Sequence, residues 1–118
     1  MTSGTLRDLP FLDLLLMLSG KTGVLECFGL KGHGPYVIYV KRGEIRCIEG
    51  PRGFLDPDGA KRALKKLARA QNGGFEFSAH WFKTPCAKPF AWPVARVRQA
   101  LETWLTREFL SQSAERLF

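Results

Sequence analysis

The stretch of this chain best placed for chemistry is Gly20-Lys21-Thr22-Gly23, a Gly-Lys-Thr run of the kind that closes a phosphate-binding loop. Such a loop needs another glycine five residues before the one preceding the lysine, so that successive backbone N–H groups wrap the phosphates. That position is Leu15, and the elements around it read helix, loop, strand instead of strand, loop, helix. Nucleotide binding is therefore set aside. Cys27, Cys47 and Cys86 lie far apart and form no C-x-x-C pair. A metal site needs clustered ligands, and neither His33 nor His80 supplies one beside a cysteine or at ligand spacing from a carboxylate. The cysteines are read as small hydrophobes, two of them at apolar strand positions, and not as redox or metal residues. Acid–base catalysis needs titratable groups gathered in a cleft, whereas the eleven carboxylates here are scattered. No nucleophile sits in a G-x-S-x-G setting either. The chain is read as no enzyme, with no catalytic residue, cofactor or metal ligand assigned.

Charge is the remaining chemical signal. The chain carries 18 Lys and Arg against 11 Asp and Glu, a net charge of +7. Residues 1–59 hold seven of each sign, while residues 60–118 hold eleven basic and four acidic residues, so the excess belongs to the second half. Five of those cations, Lys61, Arg62, Lys65, Lys66 and Arg69, surround an apolar stripe of Ala60, Ala63, Leu64, Leu67 and Ala68 at helical spacing. Such a face is simply solvated, or meets an acidic protein, or meets nucleic acid. Nucleic acid is the least favoured of the three, because no helix-turn-helix spacing, zinc finger or aromatic-basic strand motif accompanies the charge. It is kept as an alternative, together with a small-molecule sensor holding an apolar pocket between sheet and long helix. The candidate contact surface joins the basic helix to Trp81, Phe82 and Trp92 and to the end of the C-terminal helix, since aromatic and Arg residues anchor interfaces. The plainer reading of those three aromatics is core.

The elements that must position these residues are organised around Gly20 to Gly50. Three runs, Val24 to Phe28, Tyr36 to Val40 and Glu44 to Ile48, read as an antiparallel meander. Lys41-Arg42-Gly43-Glu44 is its tightest turn, with Gly43 free to take the positive φ that a short hairpin demands. Alternation leaves both sheet faces substantially apolar, so both need at least partial cover. Ser3 to Leu6 is a short edge strand or an extended lead-in. Asp8 is expected to cap a helix over Phe11 to Leu18, with Pro10 near its first position. Asp56-Pro57 marks the start of the basic helix, which runs to about Ala70, and Phe75-Glu76-Phe77 opens a further strand. Residues 80–93 hold three prolines and four large aromatics, too apolar for a solvated linker, and are expected to seal a hydrophobic face. A long helix follows Pro93 and reaches about Arg116, packing through Val94, Val97, Leu101, Trp104 and Leu105. Phe109, Leu110, Leu117 and Phe118 extend its apolar content toward a fold-back or a second subunit. The expectation is one α+β domain over residues 1–118: an antiparallel meander sheet of four to five strands covered by an N-terminal helix, a middle basic helix and a long C-terminal helix. No apolar run approaches the roughly 20 residues that span a bilayer, and no signal-type segment opens the chain. A cytoplasmic location without membrane insertion is expected.

An ordered set of short motifs resembles the PATAN domain, the N-terminal type of domain in certain bacterial response regulators. It comprises Gly4-x-Leu6, Asp8-Leu9-Pro10 before a Leu-rich helix, Lys21-Thr22-Gly23-Val24-Leu25, and Ile38-Tyr39-Val40 with Gly43-Glu44-Ile45. Ala60-x-x-Ala63-Leu64 and Gly74-Phe75-Glu76-Phe77 complete it. The match is strongest over residues 1–78; the aromatic connector (79–93) and the C-terminal helix (94–116) lie beyond it. The resemblance implies a non-catalytic protein–protein interaction module of bacterial signal transduction, tied to two-component or motility-related regulation. Its implied partner is another signalling protein: a response regulator, a small GTPase system or a pilus motor component. A homodimer through the C-terminal helix is a further arrangement. The long Gly29 to Pro35 turn, Cys47 in place of a usual small residue, and the lack of a following receiver domain depart from the family pattern. The matched residues are turn glycines and core apolars, so the resemblance implies a fold and no site residues.

Overall fold

The structure is a computed structural model that describes the backbone of residues 1–117 and the side chains of residues 1–108. In chain order the elements are β1 (Thr2–Thr5), α1 (Phe11–Met17), β2 (Gly23–Phe28), β3 (Tyr36–Lys41), β4 (Glu44–Gly50) and β5 (Gly53–Phe54). Then come α2 (Pro57–Arg69), β6 (Gly74–Ser78), β7 (Trp92–Pro93) and α3 (Val94–Leu117). All strands join one antiparallel sheet in the order β1-β6-β2-β3-β4-β5, with β7 also pairing to β4. The α+β class holds, with seven strands against the four to five expected. The two extra strands are two-residue ladders along the far edge of β4, too short for any alternation to mark them in sequence. At the opposite edge lies β1, all four of its residues exposed.

The meander is set by its turn. Arg42 (φ 50°) and Gly43 (φ 75°) both take positive φ, the mirror-image geometry that matches strand twist in two-residue hairpins. Gly43 is held on two further sides: its N–H donates to the Lys21 carbonyl at 2.9 Å, and its own carbonyl accepts from Val94 N–H at 2.9 Å. A Cβ there would lie 2.6 Å from the Gly20 nitrogen. Arg42 N–H donates to Thr22 Oγ1 at 2.9 Å, so the Gly-Lys-Thr loop grips the hairpin.

Strand alternation sorts the sheet into two unlike faces. Leu25, Cys27, Ile38, Val40, Phe75 and Phe77 point inward and form one buried cluster with Phe11, Leu14, Leu15, Leu64, Leu67, Val94 and Leu101. All three helices therefore cover the same face. The outer face carries Val24, Glu26, Val37, Tyr39, Glu76 and Ser78, each half-buried or exposed, and receives only the connector. Cover on both faces is thus realised unequally.

Helix starts divide between one expectation met and one corrected. Asp56 caps α2, its Oδ1 accepting from Gly59 N–H at 2.7 Å, and Pro57 takes the first position. Asp8 does not cap α1; the cap position is Pro10, with no side-chain hydrogen bond. Thr5 closes a turn instead, its carbonyl accepting from Leu9 N–H and its hydroxyl from Asp8 N–H, and this turn lifts Asp8 away from the helix.

The cysteine expectation also needs correction. Cys47 and Cys86 form a disulfide across 39 positions of sequence, with a Cα–Cα distance of 6.1 Å. The cause is a bulge: Val40 faces Ile45 but Tyr39 faces Cys47, so the extra residue Arg46 transfers Cys47 to the outer face. There the connector crosses it, Phe90 N–H donating to the Arg46 carbonyl at 2.7 Å. Cys27 alone is free and buried, as a core hydrophobe. Burial pushes its thiol up to about 12.

Candidate partner-binding surface

Because Ala60, Ala63, Leu64 and Leu67 occupy the buried stripe of α2, its five cations are all turned outward and exposed. Two of them, Lys61 and Lys65, stand one turn apart on the rim of a groove between α2, β7 and α3. The groove has a volume of about 350 Å³. Leu64, Trp92, Pro93, Val97, Leu101 and Trp104 supply apolar walls, Ala91 and Ala100 open small-residue gaps, and Arg96 adds a third cation. Among the described residues no carboxylate lines it.

Its two tryptophans are held in place. Trp92 stacks on Phe90 with ring centroids 4.1 Å apart and planes 4° from parallel. Lys65 Nζ lies 5.2 Å and the Arg69 guanidinium 4.6 Å from the Trp104 ring, both within cation–π range. Arg69 also pairs with Glu108. The α3 wall is tied to α1 by Arg98, whose Nε donates to the Leu12 carbonyl at 3.2 Å while its guanidinium pairs with Glu102 at 3.0 Å.

The eight residues singled out in the sequence do not form one patch. Lys61, Lys65 and Trp92 meet at the groove, and Arg69 joins them through Trp104. Arg62 and Lys66 border a separate depression with Tyr36, Arg52 and Leu55. Near it the pKa of His33 is lowered, by burial first and then by the charge of Lys66. Trp81 and Phe82 belong to the outer sheet face, where Lys41 Nζ lies 5.1 and 5.0 Å from their rings and Phe82 meets Tyr39 edge-on at 5.4 Å. Trp81 is 76% exposed and is not core; Phe82 and Trp92 are half-buried.

The outer face is chemically opposite to the groove. Glu26 and Glu76 stand directly across from one another on β2 and β6, an unfavourable like-charge pair. Glu49 lies 3.5 Å from the Tyr39 hydroxyl, which donates to it. Burial raises the Tyr39 pKa most, followed by the charge and hydrogen bond of Glu49 and the charge of Glu26.

No protein-family model, curated protein or solved structure matches this chain. Among the described residues, no group of three or more His, Cys, Asp or Glu is placed to hold a metal ion, and no helix is long and apolar enough to cross a membrane.

The α3 side of the groove does not follow from the expected packing stripe, which takes in Trp104 but leaves out Arg96 and Ala100. Their spacing at i, i+4 and i+8 on one helix face was the available signal. The apolar residues at 109, 110, 117 and 118, and with them an interface at the end of α3, lie outside the residues whose side chains are described.

Proposed function

We propose that this chain is a non-catalytic interaction domain, an adaptor in bacterial signal transduction of the two-component or motility-related kind. The resemblance of its ordered motifs to the PATAN domain supports the pathway class. One observation carries the location of the contact: an apolar-walled groove holding two tryptophans and rimmed by Lys61, Lys65 and Arg96, with no carboxylate among the described residues of its lining. Buried aromatic anchors inside a charged rim are what give protein interfaces their affinity and steer their encounter. The partner is an acidic signalling protein, and Trp81 and Phe82, on the other side of the sheet, stand apart from this contact. The test is cross-linking capture from the native lysate with the wild-type chain and with a Lys61→Glu, Lys65→Glu, Arg96→Glu variant. Loss of one specific acidic partner in the variant is expected; identical capture by both sinks the reading. A gel shift with mixed duplex at low salt separates the nucleic-acid alternative, for which retention must fall steeply as salt rises.

A further inference from the structure

A second depression, of about 540 Å³, lies on α3 alone, across the row Arg96, Ala100 and Trp104 that it shares with the groove. The groove itself is a trough whose α3 wall runs from Arg96 to Trp104, a rise of about 12 Å or just over two helical turns. Its shape is that of a helix seat. Ala100, exposed at the centre of the shared wall, lets another backbone come close, and helix axes pack at roughly 8–10 Å only where the contact residues are small enough. Trp104, fixed by Lys65 and Arg69, and Trp92, fixed by Phe90, are rigid surfaces that lose little entropy on contact.

The charge around the trough is of one sign. Lys61, Lys65 and Arg96 border it, and none of the three has an ion pair among the described residues. Two carboxylates of α3, Glu102 and Glu108, are engaged by Arg98 and Arg69. We infer that the trough between α2 and α3 receives an acidic amphipathic helix of the partner. Apolar residues at i, i+3 or i+4 and i+7 fill the trough, and flanking Glu or Asp residues meet Lys61, Lys65 and Arg96. The inference rests on the adaptor reading and specifies the part of the partner that is recognised.

The groove tryptophans report on it directly. In this 118-residue chain carrying Trp81→Phe, the remaining tryptophans are Trp92 and Trp104. Three probes are titrated: an 18-residue helical peptide with a Leu stripe flanked by Glu, a scrambled peptide of identical composition, and dodecanoate. The striped peptide is expected to shift the emission saturably and to bind at least tenfold more tightly than the scrambled one. Ala100→Phe, at an exposed position, should remove that preference while the thermal midpoint stays in place. Lys61→Glu with Arg96→Glu, a second surface variant, should weaken the striped peptide at least tenfold in low salt. Equal binding of striped and scrambled peptides overturns the helix seat and leaves the acidic-partner reading standing. Saturable dodecanoate binding without peptide binding overturns it in favour of a small-molecule site. If neither acidic peptide binds and lysate capture is also indifferent to the charge reversals, both readings fall.

Discussion

Removing the Cys47–Cys86 bond is the sharpest perturbation that the fold offers, because it acts on the unfolded chain and on one identifiable segment of the native one. The bond closes a loop spanning 39 positions. In the chain-entropy description, a closure of that length restricts the unfolded ensemble by about 4 kcal/mol at 25 °C. For a domain of this size, that corresponds to a fall of roughly 15 °C in thermal midpoint. Two independent arms check it. The Cys47→Ala, Cys86→Ala variant and the wild type under reducing conditions should show nearly the same urea midpoint, both well below the oxidised wild type. Hydrogen exchange then locates the effect within the native state. The Phe90 amide, which donates to Arg46 across the bulge, should exchange much faster, while the amides pairing β2 with β3 stay protected up to the new global limit. A stability change below about 1 kcal/mol would refute the loop argument. A uniform rise in exchange across the sheet would refute the picture of a connector fastened at one point.

Two further outcomes follow from single residues. The Cys27 thiol, pushed from 9.0 to about 12 by burial, has no effect below about pH 8, where folded and unfolded states both hold the proton. Above that the unfolded thiol ionises first, so stability falls as the pH climbs, by about 3 kcal/mol between pH 9 and 12. Urea titrations at successive pH values should show a shallower alkaline decline in Cys27→Val, and an unchanged slope refutes the assignment. Gly43→Ala places a Cβ at φ 75° and 2.6 Å from the Gly20 nitrogen. A loss of at least ~2 kcal/mol is expected in denaturant unfolding, compared with ~1–2 kcal/mol for left-handed backbone alone.

The sequence was most legible where local chemistry decides local structure. The Arg42-Gly43 turn, the Asp56-Pro57 helix start and the two-sided pattern of α2 each rest on residues within a few positions of one another. It was least legible where distant segments meet. The bulge at Arg46 adds one residue to β4 and inverts the facing of Cys47, and nothing in a run of alternating residues announces that. Once that facing is lost, the partnership with Cys86 is lost too, because the connector reaches Cys47 only by crossing the outer face. The groove behaves in the same way. Its basic rim was visible on α2, but Trp104 and Ala100 read as ordinary packing positions until α3 is set beside α2. Trp81 and Phe82 lie close in sequence to Trp92, yet the strap carries them to the other side of the sheet.

The two margins of the sheet have unequal capacity for growth. Beyond β4 the ladder ends in two-residue strands, one finishing at Pro93, whose nitrogen has no hydrogen to donate. At the other margin, β1 presents Thr2–Thr5 exposed, with no charge or proline to deter a neighbour. Association by strand addition is thereby favoured at that margin. Two copies meeting there about a twofold axis consume both templates and leave none, so such association closes at a pair and cannot propagate into a fibre. Sedimentation over a concentration series would show monomer and dimer alone, and any larger species would have to come from a different surface.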